Sequence, residues 1–121
     1  MKKLILGMSL VFATGNSFAA DDAKIVEAVE KSVKTNFFPA DVKVNHLEGV
    51  RFFPTDDDTA YARFGNVCGT AFVSKDGASK KLIFITTVEE KASRINIHDP
   101  SFYDLDSNAE IAREDLKKRC K

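Results

Sequence analysis

The sequence predicts an α+β fold: an N-terminal helix, an antiparallel β-meander of about four strands, a C-terminal helix and one disulfide. Three observations carry that prediction. Apolar residues recur at helical spacing only near the two ends of the mature chain, between Asp21 and Thr35 and between Asn108 and Arg119. Between them the apolar residues alternate or run continuously in short stretches separated by Gly, Pro and Asp, the pattern of strands joined by tight turns. Two cysteines, Cys68 and Cys120, stand far apart in sequence with no third to compete for either.

The chain has 121 residues, with 18 Lys and Arg against 18 Asp and Glu. It opens MKKLILGMSLVFATGNSFAA: two lysines, an apolar stretch from Leu4 to Thr14, then small residues ending Ser17-Phe18-Ala19. That order is a secretory signal peptide, with cleavage expected after Ala19. The apolar stretch is about half the roughly 20 residues that span a bilayer. Residues 1–19 are therefore expected to be cleaved and 20–121 to form a single domain, periplasmic or secreted, with no membrane span. Loss of Lys2 and Lys3 leaves 16 basic and 18 acidic residues, net −2. A mixed, nearly neutral surface lacks the basic stripe that nucleic acid or anionic lipid would require.

The first helix, about Asp21 to Thr35, has Ile25, Val29 and Val33 at intervals of four and Glu27, Glu30, Lys31 and Lys34 on its other side. Asp21 or Asp22 caps it, and Pro39 prevents its continuation. Val42, Val44, Val50 and Phe52 then mark a strand, with Gly49 at a bulge or bend. Thr59 to Val73 suits one bent strand or two short ones broken near Gly65. The Lys75-Asp76-Gly77 sequence predicts a hairpin turn. Leu82 to Val88 is apolar on both faces and reads as a central strand covered on both sides. Arg94 to His98 alternates cleanly, and His98 to Ser107 is expected to be loop, with Asp99-Pro100 as a turn. The last helix, about Asn108 to Arg119, is expected to face inward through Ile111 and Leu116 and to be capped by Asp106 or Ser107. Lys117, Lys118 and Arg119 suit its C-terminal dipole.

In an oxidising compartment, Cys68 and Cys120 are expected to pair. The bridge would close a loop of about 50 residues, worth roughly 3 to 5 kcal/mol in the chain-entropy model. A thiol nucleophile at Cys68 served by His46 or His98 would need a thiolate beside a base, and a redox centre would need Cys-X-X-Cys. Neither is present in the sequence. Two cysteines and two scattered histidines likewise lack the short spacing of a zinc site. Gly69 is expected to let another element approach the bridge closely.

Val67-Cys68-Gly69, the charged turn at Lys75-Asp76-Gly77, Phe84-Ile85 and the Phe-Pro-Ala-Asp segment from Phe38 to Asp41 together resemble a broad set of small exported bacterial proteins. Those have an N-terminal helix, an Asp-Pro-Ser-Ala-type segment, a Val-Cys-Gly-Glu-Val strand and a late second cysteine. The resemblance spans residues 25–86 and Cys120, and implies the export compartment and the fold. This chain departs from it in having Thr70-Ala71 where an acid and a valine are common.

Other candidates are few. Asp104, Asp106, Asn108 and Asp115 match oxygen-ligand positions of an EF-hand loop, but Ala109 stands where glycine makes the sharp turn. The alternative is a helix start with an acidic first turn. The doubled phenylalanines Phe37-Phe38 and Phe52-Phe53 put neighbouring rings on opposite faces of extended chain, so either helices cover both faces or an aromatic patch is exposed. Phe38, Phe53, Tyr61 and Arg63 are the candidate contacts for a partner, beside the Asp56 to Asp58 loop. The leading expectation is a non-enzymatic module that binds a protein partner in the envelope, such as an inhibitor, immunity or accessory factor. A calcium or small-ligand module is second and a hydrolase or thiol enzyme third. No cofactor is called for.

Overall fold

A computed structural model describes residues 20–121; the expected leader, residues 1–19, lies outside them. Helix α1, Asp22–Thr35, is followed by strands β1, Lys43–Pro54, β2, Ala62–Lys75, β3, Ala78–Lys91, β4, Arg94–Ile97, and β5, Ser101–Asp104, and by helix α2, Ala109–Arg119. The strands form one antiparallel sheet in the order β1-β2-β3-β4, with β5 also paired to β3.

Asp21 starts α1 by accepting a hydrogen bond from the Lys24 amide at 2.9 Å, which satisfies one of the otherwise orphaned N-terminal donors. The helix buries Ile25, Val29 and Val33 completely. They pack on the residues that alternation directs to one face of the sheet: Phe52, Val67, Ala71, Val73, Phe84 and Val88. The other face carries Cys68, Ile85, Asn66 and Thr87, and there α2 lies. The helices thus cover opposite faces, so the continuous apolar run of β3 is buried from both sides.

β3 is longer than the expected Leu82 to Val88, and β2 is one strand rather than two. β2 runs unbroken through Gly65, because the missing side chain admits the Phe52 ring; a Cβ would stand 2.8 Å from two of its carbons and against the Phe53 carbonyl. Gly69 serves a different purpose from the one its neighbour Cys68 suggested. It faces away from the bridge, and a Cβ there would meet Phe84 and Val50 at 2.9 Å. β1, at the sheet edge, is irregular in register between Val44 and His46 and between Glu48 and Arg51, with Gly49 at φ 61°. Bulges of this kind discourage edge-to-edge pairing.

The hairpin at Asp76-Gly77 has both central residues at positive φ, 53° and 82°, the handedness that suits strand twist. Ala92-Ser93 joins β3 to β4 with φ of 54° and 68°, although neither residue favours that region.

The expected loop from His98 to Ser107 contains β5. Ile97 pairs with Val88 and Ser101 with Ile85, so four steps of chain oppose three of β3. The surplus residue makes a bulge at His98-Asp99-Pro100. His98 N still donates to Thr87 O at 3.0 Å, but Pro100 has no N–H to continue the ladder. β4 and β5 are in effect one interrupted strand.

In α2 the inward residue is Ala112, fully buried, whereas Ile111 is 60% exposed. The bridge at Cys120 sets the rotation of the helix: Ala112, Leu116 and Cys120 follow at intervals of four, and Ile111 falls about 100° away. Asn108, not Asp106 or Ser107, is the N-cap, and it makes no side-chain capping bond. The turn before it is held by Asp104, whose carboxylate accepts from the Asp106 amide at 2.9 Å and whose carbonyl accepts from Asn108 N at 2.7 Å.

Candidate functional site

Cys68 and Cys120 form a disulfide, and no free cysteine remains among the described residues. Both sulfurs are therefore spoken for in this state, and a thiolate mechanism has no nucleophile. Around the bridge α2 is fastened by polar contacts rather than by apolar burial. Arg119 donates to Thr87 Oγ1 at 2.9 Å and to Asn66 Oδ1 at 3.3 Å, and Thr87 Oγ1 donates to Asn66 at 2.9 Å. Tyr103 donates its hydroxyl to Asp115 at 2.6 Å, which together with burial raises the phenol pKa above its ordinary value.

A wide opening lies on the α1 face, at the β2–β3 hairpin end. It is a cavity of about 540 Å³ with Phe38, Val42, Val73 and Leu82 as apolar walls and Lys75, Asp76 and Lys80 at its rim. Its origin is a mismatch of lengths. A 14-residue helix extends about 21 Å and a 14-residue strand about 46 Å, so α1 cannot cover the whole of β2 and β3. Past Thr35 only the loop carrying Phe38 and Val42 remains above the sheet. Phe38 is pinned by Phe102, with ring centroids 4.6 Å apart, so this wall is fixed in place. Lys75 reaches Asp41 at 3.4 Å and Lys80 reaches Asp104 at 2.7 Å. The Lys80 bond raises the ammonium pKa and holds the Asp104 carboxyl below its ordinary value, helped by the Asp106 amide.

The four predicted contact residues do not share a surface. Phe38 lines this groove. Phe53 is half-buried on the opposite face, with the Arg51 guanidinium 5.0 Å above its ring, beside a second cavity of about 270 Å³ that Leu116 and Cys120 help to line. Tyr61, in the β1–β2 loop, is 66% exposed. Arg63 is an internal brace: it donates to Asp58 at 2.8 Å, Asp22 at 2.7 Å and the Ala20 carbonyl at 2.8 Å, and lies 4.9 Å over the Phe52 ring. Asp58 is the first cause of its raised pKa. The acidic loop is thereby partly a counter-charge for Arg63 rather than a free patch.

The calcium expectation meets a geometric obstacle. Twelve residues from Asp104 to Asp115 would have to wrap one ion, but the second half of that span is α2. Asp104 is engaged by Lys80, and Asp115 by Tyr103 and Arg119. Among the described residues no three His, Cys, Asp or Glu side chains gather as a metal site. His98 lies 2.6 Å from Glu89 across the sheet, and His46 lies 3.1 Å from Glu48 and stacks on Phe72.

No family model, curated protein or solved structure matches the chain. Among the described residues no helix is long and apolar enough to cross a membrane.

Proposed function

We propose that the mature chain is an exported, non-enzymatic protein-binding module, such as an inhibitor, immunity or envelope accessory factor, and that it receives its partner at the groove between Phe38 and the β2–β3 hairpin. The groove carries this reading. Its floor is apolar and open, its walls are anchored to the core, and two lysines flank it. Such a site fits an apolar anchor side chain of a partner protein. The disulfide and the leader-like first residues support an oxidising compartment.

The test places a photo-crosslinking residue at Ala78, on the groove rim, or at Lys118, on the far helix, in protein exported to the envelope. A discrete protein adduct from position 78, absent from position 118 and lost on Leu82→Lys in a variant that still folds, is the expected result. Equal labelling from both positions, or none from 78, would sink the proposal.

A further inference from the structure

Glu90 is an acid in the interior. It is 3% exposed, on the same face of β3 as Phe84 and Val88, and accepts a hydrogen bond from the backbone nitrogen of Ala20 at 3.1 Å. Its cross-strand neighbour is Arg63, but the Arg63 nitrogens donate to Asp58, Asp22 and the Ala20 carbonyl. Ala20 is thus gripped at both ends of its backbone, nitrogen by Glu90 and carbonyl by Arg63, and is packed against the core. Asp22 and Asp58 already occupy the guanidinium as its carboxylate partners. A buried carboxylate held by a neutral amide alone is a costly arrangement; one paired with a cation is far less so.

Ala20 is also the residue that the leader pattern makes the first of the mature chain. We infer that Glu90 is the receptor for the α-ammonium group of Ala20, so that proteolytic processing creates an internal ion pair which the precursor lacks. Hydrolysis of the Ala19–Ala20 bond by a leader peptidase consumes one water and leaves a carboxylate on Ala19 and an ammonium on Ala20. That ammonium places a full positive charge and three donors where the uncut chain offers one neutral N–H. The inference rests on the export reading only for where the cut falls.

Two measurements separate processing from the ion pair. Mass spectrometry of the exported protein reads the first residue, expected to be Ala20; any other start overturns the inference. The ion pair is read on chain 20–121 released from a fusion with Ala20 first, either free or N-acetylated, with Glu90 native or as Glu90→Gln. Acetylation is expected to lower Tm by about 4 °C or more in the native background and to have no effect in Glu90→Gln. Equal Tm for free and acetylated native chains would overturn the inference. Should Glu90→Gln fail to fold, chains beginning Gly-Ala20 or Asp21 decide: both must lose at least as much as the acetylated chain, and Tm equal to the native chain in either overturns it.

Discussion

Breaking the Cys68–Cys120 bond tests how the last helix is held. The bridge spans 52 residues of sequence, for which the loop-closure relation gives about 14 cal/mol/K, or about 4 kcal/mol at 25 °C. That is a large part of the roughly 5–15 kcal/mol by which such domains are stable. The helix has little else: Ala112 is its only fully buried residue, and the Asp115 and Arg119 hydrogen bonds contribute about 1 kcal/mol each. Alanine is the better probe than serine, since Cys68 is 5% exposed and a hydroxyl there would add its own desolvation cost. Urea unfolding of Cys68→Ala, Cys120→Ala and the double variant should show losses of about 3–5 kcal/mol each, with the double no worse than either single. Hydrogen exchange should show α2 losing protection before β2 and β3, because the apolar core lies on the opposite face. Additive single losses, a loss under about 1 kcal/mol, or α2 exchanging together with the sheet would refute the reasoning.

Three other perturbations follow from local geometry. Replacing Ala92-Ser93 by Asn-Gly suits the positive φ values of that turn and should stabilise by about 1 kcal/mol, seen as a Tm rise of about 4–8 °C; no change would mean the turn relaxes at no cost. Gly69→Ala drives a Cβ to 2.9 Å from Phe84 and Val50 and should cost about 1–3 kcal/mol in urea unfolding, more than Gly49→Ala, where space is open and only the φ of 61° opposes. Asp104 is held below its ordinary value of 3.8 by Lys80. A depressed carboxyl contributes stability that is complete above the unfolded value and lost as pH falls through the folded one. Asp104→Asn should therefore flatten the fall of Tm below pH 3.8, and an unchanged slope would show the pair to be inert.

Most of the architecture is legible in the sequence because each element obeys one period. Ile25, Val29 and Val33 give α1, and the Asp76-Gly77 pair gives the central hairpin. The failures occur where a distant contact overrides a local cue. Pro100 ends a ladder locally, yet its neighbours resume pairing with β3 on the far side of a bulge. Ile111 is the more apolar neighbour of Ala112, but Cys120 fixes the helix rotation and turns it outward. The site was only partly legible. Phe38 was readable as a surplus aromatic, whereas Val73, Leu82 and the lysines beside them looked like ordinary strand ends. Comparing the lengths of a 14-residue helix and a 14-residue strand would have shown that one end of the sheet stays uncovered. Strand parity likewise marks Glu90: it follows Phe84 and Val88 at even steps, so it must point inward with them.

The two faces are secured by different physics. On the α1 face, apolar burial from Ile25 to Val88 holds the helix, and the groove is simply where that cover ends. On the other face a covalent bond substitutes for a core, since Ala112 alone is fully buried there from α2. The groove walls Phe38, Val73 and Leu82 belong to the first system, so their shape does not depend on the bridge. The disulfide guards the far side of the same sheet: by keeping Cys68 and Ile85 covered, it prevents β2 and β3 from exposing an apolar surface on that face.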